Sequence, residues 1–379
     1  MTGFPFLDLS RISFAGIIML MKILFISRAY PPIVGGLENQ NFEIGKWLGK
    51  IAEVKIIANK RGKKFLPFFL PYAIIKSLLI AKNYDAVLLG DAVLSLVGYK
   101  IKFFYPQKPV ICITHGLDLT FKSFIYQKLW IGWFLRKMDK LIAVGNETIE
   151  AGVQRGLRRE KFVFIPNGVD TEKFLETHSR EELEKIVGEK LENRKIILTT
   201  GRLARHKGVD WFLENVVPRL SDDILYLVAG DGEKRKVIEK IIKEKGVEHK
   251  TKMLGRVNDN DLKILYNTAD LYIKPNIRVD GTMEGFGIVA IEAASCRLPV
   301  IASDLEGLKD AIEDGENGFL VESQDAEQFI QKINELLSDN KFRYEFGEKA
   351  RQYVVENFRW NIIAQRYLEE IQSVILNFK

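Results

Sequence analysis

The chain has 379 residues, 47% of them hydrophobic and 28% charged, with 29 glycines and 11 prolines. That length and balance suit two globular domains that each bury a core, and exclude stapled mini-proteins, fibrous chains and disordered chains. The net charge of +6 is uneven, because residues 1–170 hold 24 lysines and arginines against 12 acidic residues while residues 171–379 hold 32 against 38; the basic first half points to an anionic partner or merely to a solvated lysine-rich face.

No segment is expected to span a membrane: the longest early candidate, the apolar run Phe14–Met21, has eight residues before Lys22 and no small-residue cleavage site. Residues 1–18 are expected to form an extension outside the fold. From Lys22 onward, runs rich in Val and Ile alternate with amphipathic stretches, the pattern of parallel strands joined by crossover helices. Strands are predicted at Ile23–Ile26, Val54–Ala58, Ala86–Leu89, Val110–Thr114, Leu141–Val144 and Phe162–Ile165. The Pro and Gly turn Ile165-Pro166-Asn167-Gly168-Val169-Asp170 then breaks the series and marks the domain hinge. A second series follows at Ile196–Thr199, Leu225–Ala229, Lys252–Leu254, Leu271–Ile273 and Val300–Ala302. The expected fold is α/β, with two Rossmann-like domains, 19–168 and 169–358, facing each other across a cleft. Cys112 and Cys296 lie far apart in apolar stretches, which argues against a disulfide framework or a cysteine zinc site and for a reducing compartment.

Chemistry concentrates after strand ends. Glu284 and Glu292 are separated by seven residues, about 12 Å along a continuous helix, against the ~5 Å of a retaining glycosidase pair. Gly285 and Gly287 instead make Glu284 a loop residue, with a helix beginning near Ile288 whose free amides form an anion pocket. Glu292, one turn inside, suits the diol of a ribose; alone, it reads equally as a solvated helix residue. The stretch Thr200–Gly208 sets Arg202 and Lys207 at a strand end, where a guanidinium fork and an ammonium suit a diphosphate leaving group; alone, it reads as a basic surface loop. The pair Gly35 and Gly36 after the first strand lets backbone approach a ligand, and His115 ends the strand Val110–Thr114 on the same face.

These residues resemble the retaining glycosyltransferases of family 4, which have the GT-B fold. The resemblance rests on Gly35-Gly36, His115-Gly116, Pro166–Asp170, Gly201-Arg202 with Lys207-Gly208, Gly230-Asp231-Gly232 and the span Glu284–Glu292, and covers nearly the whole chain. It implies that Arg202 and Lys207 hold the donor diphosphate and that Glu292 binds the nucleotide ribose. It further implies that Glu284, Gly285 and the backbone at Phe286 and Gly287 face the transferred sugar, with the amides of Ile288 and Val289 near phosphate and ribose. His115 would contact the sugar at the reacting centre, Gly35-Gly36 would close over the diphosphate, and residues around Val257 would line the base pocket. A C-terminal helix at about 359–379 would pack back on the first domain. Arg297, Glu306 and Asp310 depart from the family pattern and put the outer pocket in doubt. Asp259-Asn260-Asp261 superficially matches a metal-binding D-x-D element, but its position before a helical run reads as a helix cap. No cofactor and no metal are expected.

The implied activity is metal-independent, anomer-retaining transfer of a hexosyl group from a nucleotide-diphosphate sugar, of the GDP-mannose or UDP-glucose type, to a lipid-linked or saccharide acceptor. Asp259 near the base pocket leans toward guanine. The alternatives are a nucleotide-sugar epimerase of the same fold, which the Glu284–Glu292 element speaks against, and a non-catalytic sugar-nucleotide binding protein. Two segments interleave basic and aromatic residues, Lys60–Leu70 and Phe121–Lys137. They read either as buried core helices or as interfacial segments seating a cytoplasmic, peripheral protein on an anionic membrane. No nucleic-acid binding module is recognisable.

Overall fold

The structure is a computed structural model and describes residues 21–33 and 35–378. The expected extension at 1–18 and most of the run Phe14–Met21 lie outside the described residues. The first domain is built on six parallel strands: β1 (Lys22–Ser27), β2 (Glu53–Ala58), β3 (Ala86–Leu89), β4 (Val110–Thr114), β5 (Lys140–Ala143) and β6 (Phe162–Phe164), in the order β2-β1-β3-β4-β5-β6. The second has β7 (Lys195–Thr200), β8 (Ile224–Ala229), β9 (Thr251–Gly255), β10 (Leu271–Lys274), β11 (Val300–Ser303) and β12 (Phe319–Val321), in the order β12-β11-β10-β7-β8-β9. Strand order reverses between β1 and β3 in one sheet and between β7 and β10 in the other. Crevices therefore open at the carboxyl ends of those strands, where the two domains face each other.

Each sheet is covered on both faces, which is why its strands read as continuous apolar runs. On one face of the first sheet Ile23, Phe25, Ile111 and Ile113 pack against Ile44 and Leu48; on the other, Leu24, Ile26 and Val87 pack against Phe69, Ala73 and Val97. The C-terminal helix Trp360–Leu376 completes the former layer through Ile363, Tyr367, Ile371 and Val374. The chain thus crosses between domains twice, and the crossings lie side by side: the Val169 amide donates to the Phe358 carbonyl at 2.8 Å. Gly168 lies against the Trp360 indole, and a Cβ there would meet the ring at 2.5 Å.

β12, for which no strand was predicted, forms an edge of the second sheet; three residues were too short a run to be visible in the sequence. The expectation that no segment has the length and apolarity of a membrane span is corrected. Among the described residues, the helical stretch Lys63–Asn83 is long and apolar enough by length and composition to cross a membrane, with 21 residues and mean hydropathy 1.5. Only 22% of that window is buried, through residues such as Phe69, Ala73 and Ser77 that dock the helix on the first sheet, so in this fold it lies along the domain surface.

Candidate functional site

Two adjoining cavities of about 470 and 580 Å³ occupy the space between the domains, and both are lined by Gly36, Gln40, Ile288 and Val289. The first also gathers His115, Arg202, Lys207, Lys274 and the backbone from Glu284 to Gly287. The second gathers Gly35, Lys173, Glu292 and the hinge residues Gly168 to Asp170. Of the residues expected in the site, Val257 alone lines neither. It packs half-buried on the core of the second domain, because the chain turns at Gly255, whose φ is +68°, before reaching it. Asp259 does not line either cavity but, exposed, pairs at 2.9 Å with Lys173, which lines the second. The cap of the helix Asp259–Thr268 is Asn258, whose side-chain oxygen accepts from the Asp261 amide at 2.9 Å.

The cationic elements of the first cavity come from the two strands that flank the switch point. Arg202 leaves β7 exposed and, among the described residues, without an ion-pair partner. Lys207 ends a single 3₁₀ turn, Arg205–Lys207, followed by Gly208 at φ +66°. A Cβ at Gly208 would overlap the Pro275 carbonyl, so only glycine lets the β7 loop lie against the β10 loop. The Ile277 amide donates to the His206 carbonyl at 3.0 Å and locks the two loops together. Burial and the neighbouring Lys207 push the His206 imidazole down to about 4, leaving it neutral at physiological pH.

Lys207 is not a free cation. It is ion-paired with Glu284, whose Oε2 also lies 3.1 Å from the Lys274 ammonium and accepts from Asn276 Nδ2 at 3.0 Å. Lys274 is the last residue of β10 and 2% exposed. Burial pushes the Glu284 carboxyl up, but the two ammoniums outweigh it and hold the acid well below the usual carboxylate range. Burial lowers Lys274 to about 7, opposed by Glu284 and assisted by Lys207. While Lys274 holds its proton, two cations on one carboxylate leave a net positive charge at the cavity wall, the sign a diphosphate requires. Lys274 and Asn276 were missed in the sequence, where a lysine closing an apolar strand reads as solvated. Glu306 was visible only as a departure from pattern; at φ +51° it turns back so that its Oε2 accepts the Glu284 amide at 2.6 Å. Arg297, another departure, pairs with Glu348 at 2.6 Å and lines neither cavity.

Gly287, at φ +87°, caps the helix Ile288–Ser295, whose first amides have no intrahelical acceptor and open on both cavities. The Phe286 side chain is buried against Phe358, so only its backbone is presented. Glu292 is held by the Tyr266 hydroxyl at 3.4 Å, and Tyr266 in turn meets Thr200 Oγ1 at 3.0 Å. Burial raises the Glu292 carboxyl to about 7, against the pull of Lys173 and the Tyr266 hydrogen bond. Across the cleft, His115 Nε2 donates to the Gly90 carbonyl at 2.9 Å, which leaves Nδ1 as an acceptor in the neutral ring. Asp310 bridges the domains by accepting the Asn146 amide at 2.8 Å and its Nδ2 at 2.6 Å. Among the described residues no group of three or more His, Cys, Asp or Glu is placed to hold a metal.

Comparison with known proteins agrees with this architecture. Residues 180–353 match the model of glycosyl transferases group 1, and residues 34–173 that of glycosyltransferase family 4. The chain is 27% identical over 93% of its length, and 99% of the relative's, to a GDP-mannose-dependent alpha-(1-6)-phosphatidylinositol monomannoside mannosyltransferase of Mycobacterium tuberculosis. It is 24% identical over 93% of its length to a monoacylated-substrate counterpart from Corynebacterium glutamicum, covering 98% of that protein. With an uncharacterized glycosyltransferase of Methanocaldococcus jannaschii, 32% identity extends over 46% of this chain and 44% of the relative. Among solved structures, Anabaena HepE in complex with UDP superposes with a TM-score of 0.75 at 21% identity, covering 93% of this chain and all of that one. Two sheets with facing switch points, matched in succession by both models, place this chain in the family 4, group 1 glycosyltransferases.

Proposed function

We propose that the protein transfers a hexosyl group from a nucleotide-diphosphate sugar to a lipid-linked or saccharide acceptor, with retention at the anomeric carbon and without a divalent metal. The observation that carries this reading is the convergence of Arg202, the Lys207–Glu284–Lys274 cluster and the open amides of Ile288 and Val289 on one cavity wall. The diphosphate departs toward Arg202 and Lys207, whose fixed positive charge takes the place of a metal ion. The acceptor hydroxyl attacks from the face the diphosphate leaves, and its proton passes to the departing phosphate oxygen. Glu292 holds the ribose, and His115 stands on the opposite wall beside the sugar. A donor of the GDP-mannose or UDP-glucose type is supported by the GDP-mannose-dependent relatives and by HepE, which has been solved with UDP-glucose. The test is turnover of a panel of UDP-, GDP- and ADP-sugars in excess EDTA, with acceptor and without, and the product anomer read by NMR. We expect acceptor-dependent transfer with retention; an inverted product, abolition by EDTA, or an epimerised donor in the absence of acceptor would each count against the corresponding part.

The basic first domain, in this reading, rests on the cytoplasmic face of an anionic membrane. Phe121, Phe124, Ile125 and Trp133 are all more than half exposed and stand among Lys122, Lys128, Arg136 and Lys137, so an apolar surface is ringed by cations. Flotation is expected with vesicles containing anionic lipid and not with neutral ones. Charge reversal of Lys60, Arg61, Lys63 and Lys64 is expected to abolish it; an unchanged flotation profile removes the membrane contact.

A further inference from the structure

We propose that a groove between β2 and the helix Leu66–Ile80 binds one anionic amphiphile, a lipid carrying a phosphate headgroup. Two merging cavities of about 400 and 350 Å³ form it, sharing Ala58, Lys60 and Tyr72 as lining. Lys55 and Lys76 face the first and Arg61 the second. None of these four cations is ion-paired among the described residues: Glu53, on the same strand, is taken by Lys22 at 3.1 Å, and Glu43 by Lys46 at 3.0 Å. The turn that presents Lys60 and Arg61 is built rather than loose. Asn59, 2% exposed, donates to the Gly62 carbonyl at 2.9 Å and accepts the Arg61 amide at 3.0 Å, and Gly62 closes the turn at φ +77°.

The rest of the groove is aromatic and continues into an uncovered apolar face. Phe68, Tyr72, Ile75 and Leu79 lie three or four residues apart on one side of the helix and are 55–69% exposed. Acyl chains suit that stripe, and a phosphate suits the cluster of ammoniums and the Arg61 guanidinium at its end. A bare anion leaves the stripe unused, and a neutral lipid leaves four cations unpaired, so charge and apolarity together select the amphiphile. At its inner end the groove is walled by Tyr30, whose ring meets Phe42 edge-on at 5.7 Å, and Phe42 lines the cavity that contains Glu292. A headgroup bound at the cations is therefore one aromatic layer from the interdomain cleft. That the amphiphile is the glycosyl acceptor rests on the function proposed above; that the groove binds it does not.

The test is calorimetric titration of the full chain with dihexanoyl phosphatidic acid, dihexanoylglycerol and glycerol 3-phosphate. Saturable binding of the first, with the other two at least about tenfold weaker, is expected. The double substitution Lys55→Gln with Lys76→Gln is expected to weaken it by about thirtyfold, at about fivefold for each cation facing an anionic lipid. Both lysines are exposed, so the fold should persist; unchanged nucleotide affinity in the second domain verifies it, and Arg61→Gln provides an independent variant. Glycerol 3-phosphate binding as tightly as the lipid, a single-stranded oligonucleotide competing as well as the lipid, or indifference to both sets of substitutions overturns the proposal. Absence of sugar transfer with phosphatidic acid binding intact overturns the proposed function and leaves the groove standing.

Discussion

Replacing Lys207 with alanine is expected to lower kcat by about 10²–10³-fold, the loss typical of removing one preorganised charge that faces a developing anion. The fold should tolerate the change, because Glu284 keeps Lys274 at 3.1 Å and Asn276 at 3.0 Å as partners. The repulsion between the two ammoniums, which helps lower Lys274, disappears with Lys207, so Lys274 should hold its proton more firmly in the variant. Replacing Glu284 with glutamine has the opposite profile. It leaves two lysines, one of them 2% exposed, with no neutralising carboxylate, and should cost about 3–5 kcal/mol of stability. Urea unfolding and single-turnover rates on the two variants separate catalysis from folding. If Arg202→Ala and Lys207→Ala each retain turnover within a few-fold, the phosphate clamp is excluded.

The Glu292 contribution to donor affinity, read as the ratio of wild-type to Glu292→Gln affinity, is expected to rise with pH and to level off above about 7, because the ionised carboxylate accepts both hydroxyls of a ribose diol whereas the protonated acid accepts less well. Glu292→Gln should bind the nucleotide about 10–100-fold more weakly, the cost of charged hydrogen bonds lost, and should lose the rise with pH, keeping only the decline that follows when Lys274, also near 7, gives up its proton. Its effect on folding has the reverse sign. The native carboxyl keeps its proton up to about 7, whereas the unfolded one releases it near the ordinary 4.5, so native stability declines as pH rises through that window and stays lower above it. Glutamine removes the penalty, so the variant should be more stable than the parent at pH 8, by about 3 kcal/mol, and no more stable than the parent at pH 4. Thermal melts and nucleotide titrations at the two pH values check both signs. A ratio of wild-type to Glu292→Gln affinity that is flat from pH 6 to 8 would remove Glu292 from the ribose contact.

The interdomain contact at Asp310 belongs with these residues. Its carboxylate caps the helix Asn146–Val153 from the opposite domain, through two hydrogen bonds across the cleft, and burial raises its carboxyl against the pull of those bonds. It ties the two walls together where the Gly285 backbone lies against Gly145 and the His115 carbonyl. Met283 spans the same gap and packs against Gly116, where φ is +88° and a Cβ would meet its sulfur at 2.7 Å.

The alternation of strands and helices, the hinge turn at Pro166–Asp170 and the loops bearing Arg202, Lys207 and Glu284 were readable from residue order alone. Each depends on contacts within a few positions: runs of Val and Ile long enough to cross a doubly covered sheet, and glycines where the backbone must turn back. The three-residue β12 was not readable, because its pairing with β11 is supplied by a neighbour and not by its own length. Lys274 was hidden for a related reason. Its burial comes from β10 lying between β7 and β11, a placement set by strand order, and its charge is tolerable only because Glu284 and Lys207 arrive from two other loops. The helix Leu66–Ile80 reads equally as core or as interfacial by composition, and its exposure is decided by which of its faces meets the sheet. Local backbone preference and apolar periodicity are written along the chain; the state of a buried charge, and whether an apolar face is covered, depend on groups brought together from remote positions, and only the tertiary structure determines them.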